Sequence, residues 1–121
     1  MIPEHYRQCC GMIEPRHFLK LMPFQLGCAC KYLLRAEYKN QNVSDYRKAL
    51  DYLQWAMRSE EKPLDSKVWY LNKFFTNEFV NNLFKSNNYV AYSETIRLVR
   101  AEIKKLEGEP VGTGETARNE D

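Results

Sequence analysis

Lys31 and Arg35 stand four positions apart, so a helix through them places both cations on one face. Lys39 follows a turn later, and Lys48 lies near the start of the next helical pattern. Two or three cations beside the N–H groups of a helix end form a cradle for phosphate oxygens. Spacing alone favours a plainer arrangement, in which these are solvated charges or partners of Asp45 and Asp51. Asp45 itself suits either a helix start or Mg²⁺ arriving with a bound phosphate. Tyr32 and Tyr52 fit a core edge with wet hydroxyls, or faces on which a nucleobase stacks. His5, Tyr6 and Glu14 supply an imidazole, a phenol and a carboxylate, which do acid–base work if they converge. His17 fits a surface imidazole, and Trp55 and Trp69 fit core or interface anchors.

Other chemistry finds little footing. The chain has no glycine-rich phosphate loop, no dinucleotide-binding glycine motif, no H-E-x-x-H pair and no G-x-S-x-G elbow. Activity, if present, comes from side chains on helices. The four cysteines fall as the adjacent pair Cys9 and Cys10 and the C-x-C pair Cys28 and Cys30. Structural zinc sites use C-x2-4-C turns that aim both sulfurs at one ion. No metal site and no zinc are expected, and Cys28 and Cys30 suit small buried hydrophobes.

The elements that position these residues are helical. Glu14 and Pro15 open a short helix over "PRHFLKLM", stopped by Pro23. A second helix runs from about Pro23 to Tyr38. Phe24, Gly27, Cys28 and Tyr32 form its stripe, with Ala29, Leu33 and Ala36 alongside. Gly27 weakens that helix unless a close neighbour requires it. After "KNQN", Ser44 caps a third helix, in which Tyr46, Ala49, Leu50, Leu53, Ala56 and Met57 recur at three and four. Asp65 or Ser66 caps a fourth, with Val68, Leu71, Phe75, Phe79 and Leu83 as its stripe. Ser93 starts a fifth, whose Ile96, Val99, Ile103 and Leu106 form a coiled-coil-like seam. No strand-like alternation appears. The expected fold is all-α, a compact bundle of four to five helices. Residues 1–107 form one helical domain, and residues 108–121 a disordered tail.

With 121 residues and 44% apolar composition, the chain can bury a core of its own. A net charge of +2 is too small for general nucleic-acid binding. No run of about 18 apolar residues occurs, and the N-terminus lacks a signal-peptide pattern. A cytoplasmic protein without membrane contact is expected.

The blocks also resemble a known family. Pro3, His5 and Tyr6, then Ile13 and Glu14, then Gly27, Lys31, Tyr32, Arg35, Ala36 and Lys39, then Asp45, Lys48, Ala49, Tyr52 and Leu53 follow its order and spacing. The chain resembles the phage and prophage DUF3310 (SaV-like) family over about residues 3–57, with residues 60–107 as additional helices. Members include the nucleotide kinase of phage T7. Cys28 stands where the family pattern has Asn.

The resemblance implies a phage-derived protein that binds a nucleotide or other phosphorylated small molecule in a bacterial host cell. It also implies a nucleoside monophosphate kinase without a phosphate loop. Lys31, Arg35, Lys39 and Lys48 would then hold phosphates, and Tyr32 and Tyr52 would border the base. His5 or Glu14 would orient the acceptor or manage a proton. Asp45 would approach Mg²⁺ or fix Lys48. The alternative is a non-catalytic phage accessory or anti-defence protein that binds a host protein or sequesters a nucleotide. A homo-oligomer is expected if the 96–106 seam or the aromatic helix is exposed.

Overall fold

The computed structural model describes residues 15–40, 42–86 and 89–108. Its elements are α1 (Pro15–Leu19), α2 (Phe24–Tyr38), α3 (Val43–Arg58), α4 (Val68–Leu71), a 3₁₀ turn (Asn72–Phe74), α5 (Glu78–Leu83) and α6 (Tyr92–Leu106). The all-α expectation holds: no strand occurs among the described residues, only an isolated bridge between Ser86 and Tyr89. The expected tail beyond Gly108 lies outside the described residues.

The α2–α3 hairpin is the spine of the molecule. Asn40 ends α2 in the left-handed region (φ 61°), a conformation that Asn tolerates better than most residues. The Asn42 N–H then donates back to the Ala36 carbonyl at 3.0 Å, closing the turn. Asn42 is also the cap of α3: its side chain accepts from the Asp45 N–H at 3.1 Å. Ser44, expected as that cap, already lies inside the helix, because the amide two residues earlier reaches the free N–H first.

Burial corrects the expected face of α2. Leu26, Ala29, Cys30, Leu33, Leu34 and Ala36 go into the core, whereas Phe24 stays largely in water. Three leucines carry no polar atom, so they take the interior, and small Ala29, Cys30 and Ala36 let neighbouring helices approach. Gly27, Cys28 and Tyr32 are left half-buried at the edge. On α3 the buried stripe is Tyr46, Ala49, Leu53 and Ala56, with Leu50 partly covered and Met57 exposed.

The expected fourth helix is broken. Phe75 adopts extended backbone, and Asn77 starts a new helix by accepting from the N–H groups of Phe79 and Val80, each at 3.0 Å. Phe75 and Phe79 still reach the core, where Phe18 stands edge-on to Phe75 and Phe84. Asp65 makes a local turn, its carboxylate accepting from the Lys67 N–H at 2.9 Å, rather than capping α4. The seam of α6 is spent inside the chain: Ile96, Val99 and Ile103 are buried, and Arg47 pairs with Glu107 across α3 and α6. That seam is therefore not an exposed surface for an oligomer. Among the described residues, no helix is long and apolar enough to cross a membrane.

Candidate functional site

The tight hairpin runs α3 back along α2, so residues distant in sequence meet across the seam. Arg35 on α2 and Asp45 on α3 form an ion pair, Nε to Oδ2 at 3.6 Å. Asp45 is only 5% exposed, and its Oδ2 is buried with no hydrogen-bond partner. Its charge is thus directed at the guanidinium, whose side chain is 44% exposed and free to face a ligand. The expected partnership of Asp45 with Lys48 does not form; one turn along α3, Lys48 leaves that carboxylate to Arg35.

Lys48 goes instead to Tyr32. Its ammonium lies 5.6 Å from the centre of that ring, and the Lys31 ammonium lies 5.0 Å from the same ring. Such contacts stabilise a cation at a partly covered surface by about 0.5–1 kcal/mol. Tyr32 and Tyr52 stack with centroids 5.9 Å apart and planes 11° from parallel. Partial burial pushes the Tyr52 phenol up, with Cys28 and Tyr32 beside it adding to the effect. Lys31, Tyr32, Arg35, Asp45, Lys48 and Tyr52 therefore share one face. Lys39 sits exposed just beyond the end of α2. His5 and Glu14, as well as Cys9 and Cys10, lie outside the described residues.

The remaining sequence candidates divide. Cys30 is fully buried, and burial pushes its thiol up, so it behaves as a small hydrophobe. Cys28 is half-buried beside Tyr52, at the site rather than in the core. Gly27 lies one turn before Lys31; a Cβ there would meet the Met22 Cβ at 3.4 Å, an ordinary contact. No described neighbour thus requires the glycine. Asp45 does not fit a Mg²⁺ ligand, because its carboxylate is buried against a cation. His17 is exposed on α1. Trp55 is 44% exposed beside the site, not a core anchor.

Two supports were not foreseen. Glu61, in the segment after α3, accepts from the Leu26 N–H at 2.8 Å and from the Gln25 amide at 3.0 Å. It caps α2, which begins at Pro23 with no side-chain cap of its own. Asn77 reaches the other end of α2, donating to the Leu33 carbonyl at 3.1 Å and to Glu37 at 3.0 Å. Both act over more than thirty residues of chain, so no local spacing signals them.

The segment that carries these cations and rings also has a known pattern. Residues 2–54 match the DUF3310 family model. That model is described as a protein of unknown function. The match supports the DUF3310 resemblance over a little under half the chain. It spans α1, α2 and most of α3, with every site residue expected from the sequence; α4–α6 lie beyond it. No curated protein and no solved structure matches the chain.

Proposed function

We propose that this is a phage-derived, cytoplasmic nucleotide-binding protein, and that the α2–α3 face holds the phosphates. One observation carries the reading. Lys31, Arg35 and Lys48 come from two helices onto one face, and a buried carboxylate, Asp45, is directed at the guanidinium of Arg35. A guanidinium held from behind keeps its remaining N–H groups for a bidentate contact with phosphate oxygens. The two ammonium groups add charge without fixed geometry. Mg²⁺ would enter on the phosphates of a di- or triphosphate rather than through Asp45.

A thermal-shift series with deoxynucleoside monophosphates, triphosphates and cyclic nucleotides, with and without Mg²⁺, tests the reading. A rise in melting temperature is expected for at least one nucleotide, and Lys31→Ala with Arg35→Ala abolishes it while helix content is kept. No shift at millimolar nucleotide would contradict the proposal. Phosphoryl transfer is the finer form of the same function. ATP-dependent formation of a deoxynucleoside diphosphate separates a kinase from a protein that holds the nucleotide without turnover.

A second reading is partner binding. Tyr70 and Phe74 are 69% and 56% exposed, and Tyr70 borders an open groove of about 470 Å³ with Trp69, Lys73 and Lys85. This surface also keeps one footing for the expected homo-oligomer. A pull-down from host lysate with Tyr70→Ala as the control tests it.

A further inference from the structure

Tyr32 and Tyr52 are poor acceptors for a base, because each already occupies the other. Their rings stack at 5.9 Å, and two ammonium groups stand over Tyr32. Open aromatic surface lies one step further along the seam. Phe24 is 72% exposed and Trp55 44% exposed. Both stand edge-on to Tyr52, with centroids 6.2 and 5.3 Å from its ring. Aromatic surface thus runs unbroken from the cations to two uncovered rings, Phe24 standing seven residues from Lys31 on α2 and Trp55 seven residues from Lys48 on α3, about 10 Å of helix in each case.

The uncovered end is also held in place and given a polarity. The Gln25 amide donates to the Trp55 carbonyl at 3.4 Å, to Ser59 at 3.2 Å and to Glu61 at 3.0 Å, which ties the start of α2 to the end of α3. Glu61 accepts from the Leu26 N–H in the first turn of α2 and places its own negative charge there. A phosphate is therefore repelled from the Phe24 end and drawn to the Lys31, Arg35 and Lys48 end.

We propose that Phe24 and Trp55 form the base-stacking end of the site, so that the ligand lies along the α2–α3 seam with its ring on these side chains, its first phosphate at Lys31 and Lys48, and any further phosphate toward Arg35. This rests on the phosphate-binding reading above. Base–aromatic stacking is tolerant of base identity, so the site takes a nucleobase by shape and π-face rather than by hydrogen-bond pattern.

Isothermal titration with the four deoxynucleoside monophosphates and with ribose 5-phosphate tests this. The full chain is expected to bind at least one nucleotide about tenfold more tightly than ribose 5-phosphate. Phe24→Ala and Trp55→Ala each weaken the nucleotide by about tenfold and leave ribose 5-phosphate unchanged. Trp55→Phe, which keeps a ring, stays within about threefold of the parent. Unaltered ribose 5-phosphate binding shows that a variant is folded, with its cations in place. Nucleotide binding equal to ribose 5-phosphate, or alanine variants equal to the parent, overturns the stacking site and leaves the phosphate site standing. Failure of the parent chain to bind either probe removes both.

Discussion

Asp45 places a carboxylate oxygen 3.6 Å from the Arg35 Nε, and that oxygen has no hydrogen-bond partner. A buried carboxylate oxygen without a donor is costly, and what offsets it here is the charge of Arg35 and the start of α3. It sits in the first turn of α3, where a negative charge stabilises the helix by about 0.3–1 kcal/mol. Asp45→Ala is accordingly expected to cost about 1 kcal/mol in urea denaturation, from the lost turn charge and the lost pair. It also weakens nucleotide binding, whereas Asp51→Ala, on an exposed position of the same helix, does neither. The pairing of Lys31 with Arg35 was legible in the sequence, because a spacing of four on a helix leaves little freedom. The choice of Arg35 over Lys48 by Asp45 was not, since it depends on how the hairpin aligns the two helices.

Helices α2 and α3 carry the site, but neither is self-sufficient. The α2 helix begins at a proline with no side-chain cap and lies between two distant polar anchors, Glu61 and Asn77. Asn77 is 1% exposed and divides its amide between two tasks: Oδ1 starts α5, and Nδ2 holds Leu33 and Glu37 of α2. Asn77→Ala removes a cap and strands the N–H groups of Phe79 and Val80, which is expected to cost about 2–3 kcal/mol in urea denaturation. Asn77→Ser, which can still cap α5 but cannot reach α2, should fall between the alanine variant and the parent. Equal stability of all three would mean that the amide does not couple the helices. Helices α3 and α6 were legible because their apolar residues recur at three and four without interruption. The break at Phe75 was hidden: Phe75, Phe79 and Leu83 keep helical spacing, and all are buried although the chain leaves the helix between Phe75 and Asn77. The Thr76–Asn77–Glu78 run was the available sign of a new helix start.

In the whole molecule, a polar and aromatic face is laid mostly over the residues that match the family model, and the rest of the chain supports it. Helix α6 packs its former seam against the core, and Tyr92 donates to the Glu61 carbonyl at 2.7 Å, steadying the segment that caps α2. Residues 60–107 thus act on the site through its scaffold. Composition and periodicity were enough for the helical class, because no other element explains repeats of three and four across the chain. The placement of Phe24 and Trp55 on the surface was not readable, since an aromatic at helical spacing ordinarily joins the core. Two candidate surfaces compete in this fold: the α2–α3 face and the groove beside Trp69 and Tyr70. Backbone amide NMR of the full chain, titrated with the nucleotide that gives the largest thermal shift, distinguishes them directly. Binding is expected to move the amides of Lys31, Arg35 and Lys48 and to leave those of Tyr70 and Lys73 in place. Movement confined to Tyr70 and Lys73, or no movement at saturating nucleotide, would contradict a phosphate site on α2 and α3.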